Sequence, residues 1–143
     1  MLDQAIKYLV VQSMSLYETI PVLQDIFHIT YIHNTGAAFS MMEGLRGLLI
    51  FLPLFMILAA LIFMIVKRRD GHPLLMTSVA LIAGGGIGNL IDRIALGYVV
   101  DYLDFRVFPI FNLADICVCV GCGLLVLYVI FFDGKQNDER NGI

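Results

Sequence analysis

Charge is scarce in this chain. Lys, Arg, Asp and Glu together make up 15% of the 143 residues, hydrophobic types make up 59%, and mean hydropathy is +0.87. Soluble domains carry about 25% charged residues, so this balance excludes an ordinary water-soluble fold and implies an integral membrane protein. Basic clusters interleaved with aromatics are also lacking and the formal net charge is −3, which argues against a nucleic-acid partner. The sequence contains no polar linker, repeat or low-complexity tract, so residues 1–143 read as one domain. The three cysteines, Cys117, Cys119 and Cys122, fall in one apolar run. Cys119 and Cys122 have CxxC spacing, but no His or further Cys pair nearby completes a tetrahedral set, and small soft side chains suit helix packing in lipid. The three histidines, His28, His33 and His72, partner neither Ser40, Ser78 nor a cysteine convincingly, which argues against a serine or cysteine nucleophile.

Long apolar runs are what the chain does have. Leu48 to Val66 is unbroken and long enough to cross a hydrocarbon core as a helix, with Pro53 tolerable because neighbouring helices can satisfy the freed carbonyl. A second span is expected from Leu74 to about Ile91 and a third from about Leu113 to Phe132. KRRDGH, Lys67 to His72, is a short basic loop of the kind retained in the cytoplasm. The stretch from Arg93 to Phe111 is then expected to be a loop on the outer side, and Asp115 sits near the outer surface. The region from about 22 to 47 mixes β-branched and aromatic residues with turn types, which predicts short extracytoplasmic strands. Phe27 to Tyr31 and Phe39 to Met42 are expected to pair across the NTG turn, where Gly36 supplies a positive φ. MLDQAIKYLV reads as a helix with Asp3 and Lys7 on one face, a spacing that a surface ion pair alone would explain.

Polar residues at the span ends are costly in lipid and therefore informative. Asn112 and Asp115 are three apart at the outer end of the last span and share a helical face. Asn89, Asp92 and Arg93 are spaced i, i+3 and i+4 at the outer end of the preceding span, with Gly84 and Gly88 as a small-xxx-small pair for close helix approach. The GGGIG run does not keep the dinucleotide-loop register and follows no strand. Asp101 and Asp104, in the outer connection, are both candidates to meet Asp115. Two carboxylates in one partly desolvated cleft share a proton, which suits them to activate water as base and acid. Two other readings use the same residues. One is an Asp115–Arg93 salt bridge without chemistry, and the other is a small proton-coupled transporter or channel.

Five blocks, in order, resemble the lipoprotein signal peptidases (signal peptidase II), membrane aspartic proteases of bacteria. They are DQAIK at 3–7, NTGAAF at 34–39, GGGIGNLIDR at 84–93, VVDY at 99–102 and FNLAD at 111–115. The resemblance implies that Asp101 and Asp115 form the catalytic dyad and that Asp104 is a bystander. It implies substrate-binding or supporting roles for Asn34, Gly36, Asn89, Asp92, Arg93, Asn112, Ala114, Asp3 and Lys7. It further implies an α-helical membrane bundle of four spans with a small extracytoplasmic antiparallel β-sheet cradle, no metal or organic cofactor, and a monomer. The substrate would be a lipidated prolipoprotein, handled among membrane lipids at the outer leaflet of the bacterial inner membrane. The family's apolar helix before the first block is represented here by only Met1 and Leu2. Asp3 to about Val11 therefore stands for its outer end, or else the chain has three spans with its N-terminus outside.

Overall fold

The computed structural model of the chain describes residues 2–36 and 46–133. Three helices in it are long and apolar enough to cross a membrane: α2 (Arg46–Lys67), α3 (Pro73–Ala95) and α4 (Leu113–Tyr128), the last continued by a π-helical turn, Val129–Asp133. Each expected span is present, extended by a few residues at most. The N-terminal helix α1 (Leu2–Ser13) has 12 residues. A membrane span needs about 20, so α1 by itself is too short to cross.

Strands β1 (Thr19–Leu23), β2 (Phe27–Asn34) and β3 (Val99–Asp104) form an antiparallel sheet in that order. Phe27 to Tyr31 is a strand, as expected. The partner expected for it, Phe39 to Met42, lies outside the described residues. Gly36 does adopt a left-handed conformation, with φ of 75°. One expectation is corrected here: the connection between α3 and α4 is not all loop, because residues 99–104 supply the sheet's third strand. Gly97, with φ of 85°, closes α3 and its N–H meets the Asp92 carbonyl, which turns the chain directly from helix into β3.

The sheet packs on α1 through a small core outside the spans. Val10, Tyr31, Val100 and Tyr102 are its buried members, with Ile6, Met14 and Leu103 against them. Between the pairs Ile29–Leu103 and Ile32–Asp101 the register shifts by one residue. A bulge of this kind re-aims the side chains beyond it, and here it lies beside Asp101.

Among the spans, α3 and α4 pack through glycines. A β-carbon on Gly85 would collide with the Ala114 carbonyl, and one on Gly121 would come within 2.8 Å of the Ser78 carbonyl. Gly88 likewise abuts Ala114 and Asp3. Gly84 does not share this role, contrary to the spacing argument, because nothing lies within 4 Å of its would-be β-carbon. The close-approach face is one residue further round the helix. Accordingly, Gly121→Ala should destabilise the protein by about 1–3 kcal/mol through overpacking. Gly84→Ala should be neutral or slightly stabilising. Thermal unfolding in detergent measures both.

Candidate active site

Helix α4 begins where it does because Asn112 caps it. The Asn112 side chain accepts the Asp115 N–H at 2.9 Å, and the Asp115 carboxylate accepts the Asn112 N–H at 3.1 Å, a reciprocal capping box. The preceding two N–H groups are also satisfied, each from another element. Leu113 N donates to the Tyr102 hydroxyl of β3 at 3.3 Å, and Ala114 N donates to Asp3 Oδ1 of α1 at 3.0 Å. The first turn carrying Asp115 is thereby capped and fixed to two other elements of the chain, β3 and α1.

Asn112 is fully buried and its amide reaches the second aspartate as well. Asn112 Nδ2 donates to Asp101 Oδ1 at 2.7 Å and to Asn89 Oδ1 at 3.0 Å. Asn89 Nδ2 in turn donates to Asp115 Oδ1 at 2.7 Å. Asp101 and Asp115 are thus bonded to one residue and linked again through Asn89. The other oxygen of Asp101 accepts Asn34 Nδ2 at 2.8 Å. Asn34 is held for this by its side-chain oxygen Oδ1, which accepts the Gly36 N–H at 2.8 Å across the left-handed turn.

Burial pushes the Asp101 carboxyl up to about 6, the amide donors Asn34 and Asn112 pull the other way, and the charge of Asp115 adds to the rise. Asp104 is not part of this group. It accepts from Thr30 Oγ1 at 2.8 Å and from Arg106 N at 2.8 Å, which leaves it anchoring the connection to α4.

Beneath the aspartates lies a charge cluster. Lys7 Nζ meets Asp92 Oδ2 at 2.9 Å and Asp3 Oδ2 at 3.0 Å, and donates to Asn89 Oδ1 at 2.9 Å. The Asp3–Lys7 pair is therefore no surface pair; the Lys7 side chain is 3% exposed. Asp92 also accepts the Val100 N–H at 3.0 Å and Gln4 Nε2 at 2.7 Å. Gln4 and Tyr102 were not singled out in the sequence. Gln4 lies inside the DQAIK block and Tyr102 inside VVDY, so membership of those blocks was the available signal.

Arg93 forms no ion pair with Asp115 among the described residues. It lines, with Asn89 and Asp115, a cavity of about 320 Å³ whose other walls are mainly apolar residues of α2, α3 and α4, such as Leu52, Ile57 and Val118. A second cavity, about 480 Å³, lies on the other side of Asp115 between α4 and the loop containing Phe105 and Phe108. Asp115 therefore separates two apolar spaces, with one guanidinium at the edge of the first. Two of the three histidines make structural contacts: His72 Nδ1 accepts the Leu74 N–H at the start of α3, and His33 stacks on Tyr98 and bonds the Tyr31 hydroxyl.

The family profile described as Signal peptidase (SPase) II matches residues 1–131. The chain belongs to the signal peptidase II family. The lipoprotein signal peptidase of Halothermothrix orenii is 49% identical over 129 residues, covering 90% of this chain and 88% of that protein. That of Symbiobacterium thermophilum is 41% identical over 137 residues, covering 93% and 90%. A bacterial membrane enzyme solved by the in meso method at 1.9 Å resolution superposes with a TM-score of 0.83 at 28% identity, covering 92% of this chain and 86% of that one. Signal peptidase II membership favours peptidase over transporter or channel, and the three helices and three-stranded sheet match the family's fold.

Removing the cation from the cluster tests how much the site depends on it. Lys7→Met leaves the buried Asp92 and the part-buried Asp3 facing each other without compensation. It should cost about 3–5 kcal/mol, read as a lowered unfolding midpoint in detergent.

Proposed function

We propose that this signal peptidase II cleaves the signal peptide from diacylglyceryl-modified prolipoproteins by an aspartate-dyad mechanism, with Asp101 and Asp115 as the catalytic pair. The observation that carries the proposal is Asn112, a single buried residue bonded to both carboxylates. In the resting site one proton is shared. Asp101, whose carboxyl is raised by burial, holds it, and Asp115 serves as the base. Water between them loses a proton to Asp115 as its oxygen attacks the scissile carbonyl carbon, while Asp101 protonates the carbonyl oxygen. The tetrahedral intermediate then collapses. Its C–N bond breaks, the amine leaves with the proton that Asp115 took from water, and a hydroxyl proton returns to Asp101. No covalent enzyme intermediate is formed.

The remaining residues position substrate or the dyad. Arg93 faces the cavity beside Asp115 and offers its donors to backbone carbonyls of the bound peptide. Asn34, Gly36, Asn89 and Asn112 orient the two carboxylates. Asp3, Lys7 and Asp92 hold α1, α3 and α4 together beneath them, and Ala114 offers its N–H to Asp3. The active site faces the outer leaflet of the bacterial inner membrane, with the basic loop Lys67–His72 in the cytoplasm and the sheet outside. A lipid-anchored substrate presents its scissile bond at that depth. The enzyme acts as a monomer, and its residues form a single domain.

Asp101→Asn and Asp115→Asn should each lower cleavage of a lipidated prolipoprotein in liposomes by at least about 10²–10⁴-fold, with the unfolding midpoint retained. Substantial cleavage by either variant would refute the dyad. The shared proton also fixes a pH dependence. Asp101 ionises as pH rises through about 6, after which both carboxylates are charged and the acid is lost. The kcat/KM profile should therefore fall on its alkaline side with an apparent value at or above about 6 that belongs to the pair. A rate still rising at strongly alkaline pH would contradict proton sharing.

A further inference from the structure

The loop between β3 and α4, Phe105 to Ile110, is apolar at its tip and open to its surroundings. Val107 is 93% exposed and Phe108 63% exposed. An exposed pair of this kind at the end of a water-facing loop is unfavourable unless something covers it. The loop is nevertheless well ordered internally. Phe111 folds back on Leu103 through paired backbone hydrogen bonds of 2.8 and 3.1 Å, closing the loop at its base. Phe105 packs at a tilt against Phe27, at 4.8 Å, and stacks on Phe111, at 5.9 Å, while Phe108 meets Phe111 edge-on at 6.0 Å. Arg106 takes a left-handed conformation, φ 63°, that turns its backbone N–H onto Asp104 and brings its guanidinium to the same carboxylate at 3.4 Å. The loop's single charge is thereby drawn back toward the sheet, leaving Val107 and Phe108 as the leading surface.

We propose that this loop is a membrane foot, inserting Val107 and Phe108 among the acyl chains of the outer leaflet beside Asp115. Continuity identifies lipid as the cover. Two residues after Ile110 comes the cap of α4, and the span starts at Leu113. Ile116 and Val120 carry the exposed apolar surface of α4 onward from there. Phe105, Phe108 and Ile116 line the same 480 Å³ cavity, so loop and span present one unbroken apolar wall. The foot would hold the sheet at a fixed height above the leaflet and leave the cavity next to Asp115 open sideways to lipid. The inference draws on the span beginning at Leu113 and not on the chemistry of Asp115, so it and the peptidase reading can fail separately.

The chain has no tryptophan, so Phe108→Trp introduces a single reporter. Val107→Trp, at a side chain outside the aromatic stack, provides the same reading should Phe108→Trp not fold. Tyr17→Trp, on the turn after α1 and 71% exposed, is the aqueous control. Each is reconstituted in phosphatidylglycerol–phosphatidylethanolamine vesicles, with and without bromine on the acyl chains. The proposal expects blue-shifted emission from the loop reporter, loss of most of that emission with brominated lipid, and protection from aqueous acrylamide, with the reverse pattern at Tyr17→Trp. Acrylamide quenching of the loop reporter to the level of the control would overturn it. So would protection from acrylamide without quenching by brominated lipid, because another protein surface and not the bilayer would then cover the loop.

Discussion

One asparagine amide joins the last span to the sheet above it. Asn112 must start a helix, which needs an acceptor for the Asp115 N–H, and must hold Asp101, which needs a donor. Only a side chain with both functions serves, and an aspartate in its place would set a third carboxylate against the other two. Asn112 is completely buried and its bond to Asp101 forms away from water, where an unmet partner costs about 1–3 kcal/mol. The separation and orientation of the two acids are consequences of that constraint.

The surrounding residues answer a second demand, that of placing several carboxylates together in a confined volume. Asp3 and Asp92 meet one cation, Lys7, so negative charge remains in excess. Oriented N–H groups offset the excess. Asp3 accepts from Ala114 N, Asp92 from Val100 N and Gln4, and Asp115 from Asn112 N at the positive end of α4. Among the described residues Asp101 accepts from two side-chain amides and from no backbone N–H, which suits the proposal that it is the acid of the pair.

Features governed by local pattern were legible in the sequence. The three spans, with the start of α4, followed from apolar run length, and the Gly36 turn from its residue types, whereas the capping role of Asn112 did not, its spacing from Asp115 having suggested only a shared helical face. Features that depend on distant parts of the chain were not. The β2–β3 pairing joins residues nearly seventy positions apart, and nothing local in VVDYLD distinguishes a strand from an extended connection. Small-xxx-small spacing identified a helix rich in glycine but not which face it turns to α4, so Gly84 was taken where Gly85 does the packing. Likewise, i,i+4 spacing placed Asp3 and Lys7 together on α1 without revealing that the pair is enclosed by α3 and α4.

The bond from Ala114 to Asp3 spans 111 positions, and those from Lys7 and Gln4 to α3 span more than eighty. During synthesis from the N-terminus, Asp3 and Lys7 exist long before the helix ends that enclose them, and Asp115 arrives last of the pair. A ribosome-bound chain lacking its final hydrophobic segment therefore has neither the finished first turn nor the enclosed lysine. On the proposed dyad mechanism, a half-inserted protein would hold no competent cleft, and assembly of the bundle would be its own activation step.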